Sequence, residues 1–143
     1  MLIVSTNKPE DFNPSVEVAA TYVTLSNTLL VLQLASYKDE AGFWGVPCGK
    51  LSSQESALIG AKRELYEETG IEADSSFREI GKLYIKKPDV DYIYHTFSLV
   101  LDHEPSIQLS SEHTQYKWVP LDEAEELPLM KGAKEALQFF RKS

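Results

Sequence analysis

Three glutamates confined to a single helical turn limit this chain more than any other feature of its sequence. Glu64, Glu67 and Glu68 fall at spacings of three and four in the stretch Gly49 to Ile71, GKLSSQESALIGAKRELYEETGI. On a helix those spacings put all three carboxylates on one face, where they repel one another. A hard cation relieves that repulsion, because Mg²⁺ takes oxygen ligands and keeps room for water and substrate phosphate.

The same stretch carries its own start and stop signals. Ser52 with Glu55 three residues later fits a capping box and predicts a helix opening at Ser52. Thr69-Gly70-Ile71 predicts its end, with Gly70 in the left-handed position and Ile71 making the hydrophobic contact that follows. Leu58, Ala61 and Leu65 form a stripe expected to face a sheet. Arg63, four residues before Glu67 and eight after Glu55, is placed to orient carboxylates with its guanidinium.

Gly49, Glu55 and the run Arg63-Glu64-Leu65-Tyr66-Glu67-Glu68-Thr69-Gly70-Ile71 together resemble the Nudix box, with every defining position filled. The resemblance extends from about Val16 to Phe140. It implies an α/β Nudix fold, a mixed sheet sandwiched between helices, over residues 1–143 as one domain. It also implies a Mg²⁺-dependent hydrolase, with Mn²⁺ as an alternative ion, cutting a pyrophosphate bond in a nucleoside diphosphate-linked substrate. By the same resemblance Glu64, Glu67 and Glu68 share the metal, Glu64 or Glu112 serves as base, and Arg63 and Glu55 orient the carboxylates.

Upstream of the box, Val16–Leu25 and Thr28–Ala35 read as two central strands, near-continuously apolar and joined at Ser26-Asn27. The lead-in Gly42-Phe43-Trp44-Gly45-Val46-Pro47-Cys48 departs from the family at Cys48, where glycine is usual and the backbone carbonyl often ligates the metal. That role does not depend on the side chain, so Cys48 stays a candidate metal ligand. A nucleophilic thiol there would need a positioned base, and the sequence shows none. Lys50 is a candidate phosphate contact.

Downstream, Arg78–Lys87 and Asp91–Leu101 read as paired strands, and Lys131–Lys142 as a helix. Tyr84, Tyr92, Tyr94 and Phe97 are candidate platforms for a base, with a place in the core as the alternative for each. Ser110 to Pro120 resembles a segment of Nudix enzymes acting on dinucleoside polyphosphates and related nucleotides. It makes Glu112 a candidate ligand or base and Trp118 a candidate base contact or core residue.

Composition narrows the partners. The chain has 143 residues, 43% hydrophobic and 25% charged, a net charge of −8 and one cysteine. A balance so acidic argues against binding nucleic-acid backbones and does not suggest the basic groove that an RNA-binding role would favour. No run is apolar enough for a membrane helix, no signal-peptide pattern opens the chain, and the lone cysteine suits a reducing cytoplasm. The expected partner is a small nucleotide, met by a monomer or homodimer. The only arginines are Arg63, Arg78 and Arg141, so lysines such as Lys50, Lys86 and Lys87 must grip phosphate as point charges. The substrate reading leans to dinucleoside polyphosphates or nucleoside triphosphates, oxidised ones included. ADP-ribose, a nucleotide sugar or a non-catalytic nucleotide sensor are the alternatives.

Overall fold

The computed structural model describes Met1–Ser143. Its strands are β1 (Ile3–Ser5), β2 (Pro14–Leu25), β3 (Thr28–Leu34), β4 (Trp44–Gly45), β5 (Cys48–Lys50), β6 (Arg78–Lys86), β7 (Asp91–Leu101) and β8 (His113–Pro120). The helices are α1 (Ala57–Thr69) and α2 (Ala133–Arg141), with a short 3₁₀ turn at Ala124–Glu126. The sheet is mixed, in the order β1-β6-β7-β2-β3-β4, with β5 joining β2 and β8 joining β3.

The centre is the long parallel pairing of β2 with β7, running from Pro14 beside Asp91 to Leu25 beside Leu101. Both strands are buried at their middles, which explains their near-continuous apolar sequences. Ser26 and Asn27 both have positive φ, 49° and 65°, the conformation that matches a two-residue hairpin to strand twist. β2 and β3 nevertheless pair only next to that turn, at Thr24–Leu29 and Leu25–Thr28. Beyond it β2 takes β5 as its neighbour, from Val18 beside Lys50 to Ala20 beside Cys48, while β3 runs between β4 and β8. The central hairpin is therefore a fork, and the functional cavities lie around it.

One helix covers each face of the sheet. Leu65 of α1 packs with Val23, Leu30, Leu32, Ile71 and Leu99, and Ala61 sits on Ala19 and Phe97. Ala136 and Leu137 of α2 close a second core around Tyr22, Leu29, Val31, Leu83 and Ile85. This is the sandwich expected from the box.

Two local expectations are corrected. Helix α1 begins one turn later than Ser52, with Ser56 as N-cap accepting from the Ile59 N–H at 3.2 Å. Ser52–Glu55 is instead a turn in which the Glu55 carboxylate accepts the Ser52 N–H at 2.9 Å. That contact is one half of a capping box without the helix. Leu58 is exposed; the buried stripe runs through Ala61, Leu65 and Glu68, at helical steps of four and three. A glutamate thus occupies a position that sequence patterning reserves for a core residue.

Leu65 is fully buried between α1 and the sheet. Leu65→Ala is expected to cost about 2–5 kcal/mol through lost burial and an unfilled cavity, read as a fall in the urea midpoint at unchanged slope.

Candidate active site

The acidic cluster is assembled by the turn from β5 into α1. Gly49 lies directly against Glu64: a Cβ built on Gly49 would stand 2.1 Å from the Glu64 carboxyl carbon, so only glycine leaves room for that carboxylate. Arg63 then ties the turn to the helix. Its Nε and Nη2 donate to the two Glu55 carboxylate oxygens at 2.7 and 2.9 Å. Its Nη1 donates to Glu64 at 2.9 Å and Glu67 at 3.1 Å, and its Nη2 also reaches the Lys50 carbonyl at 3.2 Å. This fork holds Glu55 down to about 2, mainly through the Arg63 hydrogen bonds and next through the Ser52 N–H.

Glu68 lies deeper, 4% exposed, and accepts the Cys48 N–H at 3.1 Å. Burial above all, and then the Glu64 carboxylate, raise its pKa well above the usual carboxylate range. Either a proton or a cation has to accompany it.

Glu112 arrives from the other side. The irregular segment leading to it is stitched onto the end of α1, where the Gln108 N–H donates to the Thr69 carbonyl at 2.9 Å and the Ser110 N–H to the Glu68 carbonyl at 3.3 Å. Gly70, at φ 78°, turns the chain away at that point. Glu112 is exposed, with Oε1 3.4 Å from Lys38 Nζ. It shares a cavity of about 610 Å³ with Cys48, Gly49, Lys50 and Glu68.

The donor set is carboxylate oxygen from Glu64, Glu67, Glu68 and Glu112, which suits a hard divalent cation in kind. No three of these side chains converge to metal-ligand spacing, because Glu64 and Glu67 lean onto Arg63. A cation held there would compete with the Arg63 guanidinium for Glu64 and Glu67.

A second cavity of about 480 Å³ opens where β2 and β3 part. Its walls include Val18, Leu29, Val31 and Tyr92, with the buried Tyr22 and Tyr94, whose hydroxyls lie 3.1 Å apart. Three lysines from separate segments also line it: Lys50, Lys87 and Lys131. None of them is in an ion pair, and the Lys87 ammonium stands 5.4 Å from the centre of the Tyr92 ring. Cys48 lines both cavities, and burial, followed by repulsion from Glu68, pushes its thiol upward. It is a neutral wall.

The structure thus brings together Cys48, Lys50, Arg63, Glu64, Glu67, Glu68 and Glu112. Of the aromatic candidates for base contact, Tyr92 and Tyr94 line the apolar cavity, whereas Tyr84 does not and Trp118 takes the core alternative. Tyr84 packs edge-on against Phe12, ring centres 5.3 Å apart, and lines neither cavity. Trp118 packs under α1 with the Leu30 and Leu32 core, its Nε1 buried without a partner. Strand alternation identifies pairs of faces but does not say which one carries the pocket. Tyr22, Met130 and Lys131 were not singled out by sequence, because each enters the site only through the packing of distant segments.

Residues 14–141 match the model of the NUDIX domain. The chain belongs to the Nudix family. It is 34% identical over 120 residues to the asymmetrical bis(5′-nucleosyl)-tetraphosphatase of Rattus norvegicus, covering 80% of each chain. It is 31% identical to the CTP pyrophosphohydrolase of Escherichia coli, covering 80% of this chain and 82% of that one. The fold superposes on the crystal structure of a MutT protein from Methanosarcina mazei with a TM-score of 0.78 and 25% identity, over 90% of this chain and 95% of the other. As a Nudix hydrolase the protein cuts pyrophosphate bonds in small nucleotide substrates, and enzymes of the family generally need a divalent metal. No helix is long and apolar enough to cross a membrane.

Gly49→Ala places a methyl group on the Glu64 carboxylate, which can swing aside while the fold remains. Melting close to wild type together with about 10–100-fold weaker Mn²⁺ binding is the expected result, followed by electron paramagnetic resonance. The Arg63–Glu55 pair gives a separate pH signature. Glu55 sits lower in the folded protein, at about 2, than the roughly 4.3 of a free glutamate. The stability it contributes is therefore complete above the free value and is lost as pH falls through the folded one. Urea midpoints measured from neutral pH to about pH 2 should fall more steeply in wild type than in Glu55→Gln across that interval.

Proposed function

We propose that this Nudix hydrolase acts on dinucleoside polyphosphates, with the phosphate chain over the glutamates and one nucleoside in the apolar pocket. The observation that carries this reading is the adjacency of the two cavities, which share five lining residues: an acidic site stands beside an apolar pocket lined by three lysines. A nucleotide with a long phosphate chain has the matching distribution of anionic and aromatic parts. Similarity to the rat tetraphosphatase supports the same substrate class.

Hydrolysis of a pyrophosphate must overcome repulsion between the incoming oxygen and the negative phosphoryl groups. A divalent cation, Mg²⁺ or alternatively Mn²⁺, bound by Glu64, Glu67 and Glu68, would supply the charge neutralisation. Arg63 orients Glu64 and Glu67 and anchors their turn to Glu55. Glu112 is the proposed base. It lines the same cavity as Glu68, its side chain is half-exposed, and Lys38 engages only its Oε1. In that role Oε2 takes the proton as the water oxygen joins phosphorus, and the bridging oxygen departs with the leaving phosphate.

Lys50, at the junction of the cavities, and Lys87 and Lys131 beyond it would hold phosphates distal to the bond that breaks. No carboxamide or carboxylate side chain lines the apolar pocket, and the Tyr22 and Tyr94 hydroxyls already face each other. A base would be held there by dispersion and by the Tyr92 ring more than through its edge. Similarity to the CTP pyrophosphohydrolase supports nucleoside triphosphates as a second class, served by the same lysines.

A panel of diadenosine tetraphosphate, nucleoside triphosphates, ADP-ribose and nucleotide sugars, compared by kcat/KM, tests the reading. The tetraphosphate should lead, activity should require Mg²⁺ and disappear with EDTA, and Glu68→Gln and Glu112→Gln should each lower kcat by about 10²–10⁴ without lowering the melting temperature. A tenfold or greater preference for ADP-ribose would reject the substrate assignment.

A further inference from the structure

The acidic and apolar cavities are separated by a shared boundary, the neck, made of Gly45, Val46, Cys48, Lys50 and Met130, the residues that line both. Gly45 contributes no side chain, and the space is taken from across the neck. A Cβ built on Gly45 would lie 2.8 Å from the Met130 Sδ. The thioether therefore occupies the gap that a larger residue at position 45 would fill.

The backbone that carries Met130 is fixed. The Trp44 N–H donates to the Pro128 carbonyl and the Met130 N–H to the Trp44 carbonyl, both at 2.9 Å. The Ala133 N–H donates to the Met130 carbonyl at 2.9 Å, and the Lys131 N–H to Glu40 Oε2 at 2.7 Å. A parallel bridge between Trp44 and Leu129 completes the strap. What can still adjust is the Met130 side chain, unbranched and polarisable, with three rotatable bonds.

We propose that Met130, closing against Gly45, is the specificity-determining residue that sets which substituent of a pyrophosphate substrate passes from the glutamate site into the apolar pocket. The proposal rests on the reading that the two cavities hold two parts of one substrate. A slim phosphate chain passes beneath the thioether beside Lys50, and a bulky group attached near the reacting phosphates does not. Met130 touches no reacting atom, so its effect falls on which substrates are bound and how tightly, and leaves the chemical step alone.

Three variants test this: Met130→Ala to widen the neck, Met130→Phe to narrow it, and Met130→Leu to keep its volume. Cys48 is the only cysteine and stands in the neck, so its rate of reaction with N-ethylmaleimide and the larger N-pyrenylmaleimide reports the opening without any turnover. Met130→Ala should speed the pyrenyl reagent at least about fivefold and Met130→Phe slow it as much, with Met130→Leu within about twofold of wild type.

In kinetics, Met130→Phe should raise KM for diadenosine tetraphosphate about tenfold or more with kcat within about threefold. Met130→Ala should raise kcat/KM for the etheno-adenine analogue, relative to the unmodified substrate, about fivefold or more. Thiol rates and substrate ratios that stay within about twofold of wild type in Met130→Ala and Met130→Phe, with melting preserved, would overturn the proposal. If Met130→Phe does not fold, the comparison of Met130→Ala with Met130→Leu decides. If wild type hydrolyses no dinucleoside polyphosphate, the substrate reading fails, while the thiol rates still decide whether Met130 sets the neck.

Discussion

The guanidinium of Arg63 is the tie on which the acidic site depends. It answers three carboxylates at once, those of Glu55, Glu64 and Glu67, and reaches the Lys50 carbonyl as well. A planar, permanently charged fork can do this where a lysine could not, since two of its donors face Glu55 in parallel while a third points along the helix. The contacts join the turn before α1, the last residue of β5 and the second half of the helix into one unit. Without them the glutamates would splay outward under mutual repulsion, and the Gly49 cradle would lose the carboxylate it is shaped for.

Glu68 is treated differently by the fold. It lies on the stripe of α1 that buries Ala61 and Leu65, so the helix packing that stabilises the domain also drives a carboxylate toward low dielectric. One backbone N–H from Cys48 offsets part of that cost. The remainder creates the demand for positive charge that a phosphate-hydrolysing site can use. Stability and function are therefore set by the same helix face, and the expense of burying Glu68 is carried by the Leu65 core beside it.

The fork between β2 and β3 does the corresponding work on the other face. Because those strands separate after two residue pairs, the sheet leaves a hollow that β5 and the strap around Met130 only partly fill. Its lining comes from strand positions that would otherwise be core, which accounts for its apolar walls. The lysines at Lys50, Lys87 and Lys131 reach it from β5, from the β6–β7 connection and from the segment before α2.

The sequence by itself determined what is local. Glu64, Glu67 and Glu68 share a turn because a helix repeats every 3.6 residues, and Arg63 reaches Glu67 for the same reason, whereas its contact with Glu55 depends on how the turn before α1 folds back on the helix. Gly70 ends α1, and the strand pattern of β2, β3, β6 and β7 was legible to within a residue or two. The α1 start was misread, because Ser52–Glu55 and Ser56 offer similar capping chemistry and only packing chooses between them. Tertiary structure alone decided everything that depends on which way a strand faces or where a strap crosses. It sent Tyr84 to Phe12 and Trp118 under α1, brought Glu112 to Glu68 through the Ser110 and Gln108 backbone contacts, and set Met130 over Gly45. Local spacing constrains the residues of one turn, whereas these contacts join segments far apart in the chain, and the shape of the space between packed elements is not encoded in any one of them.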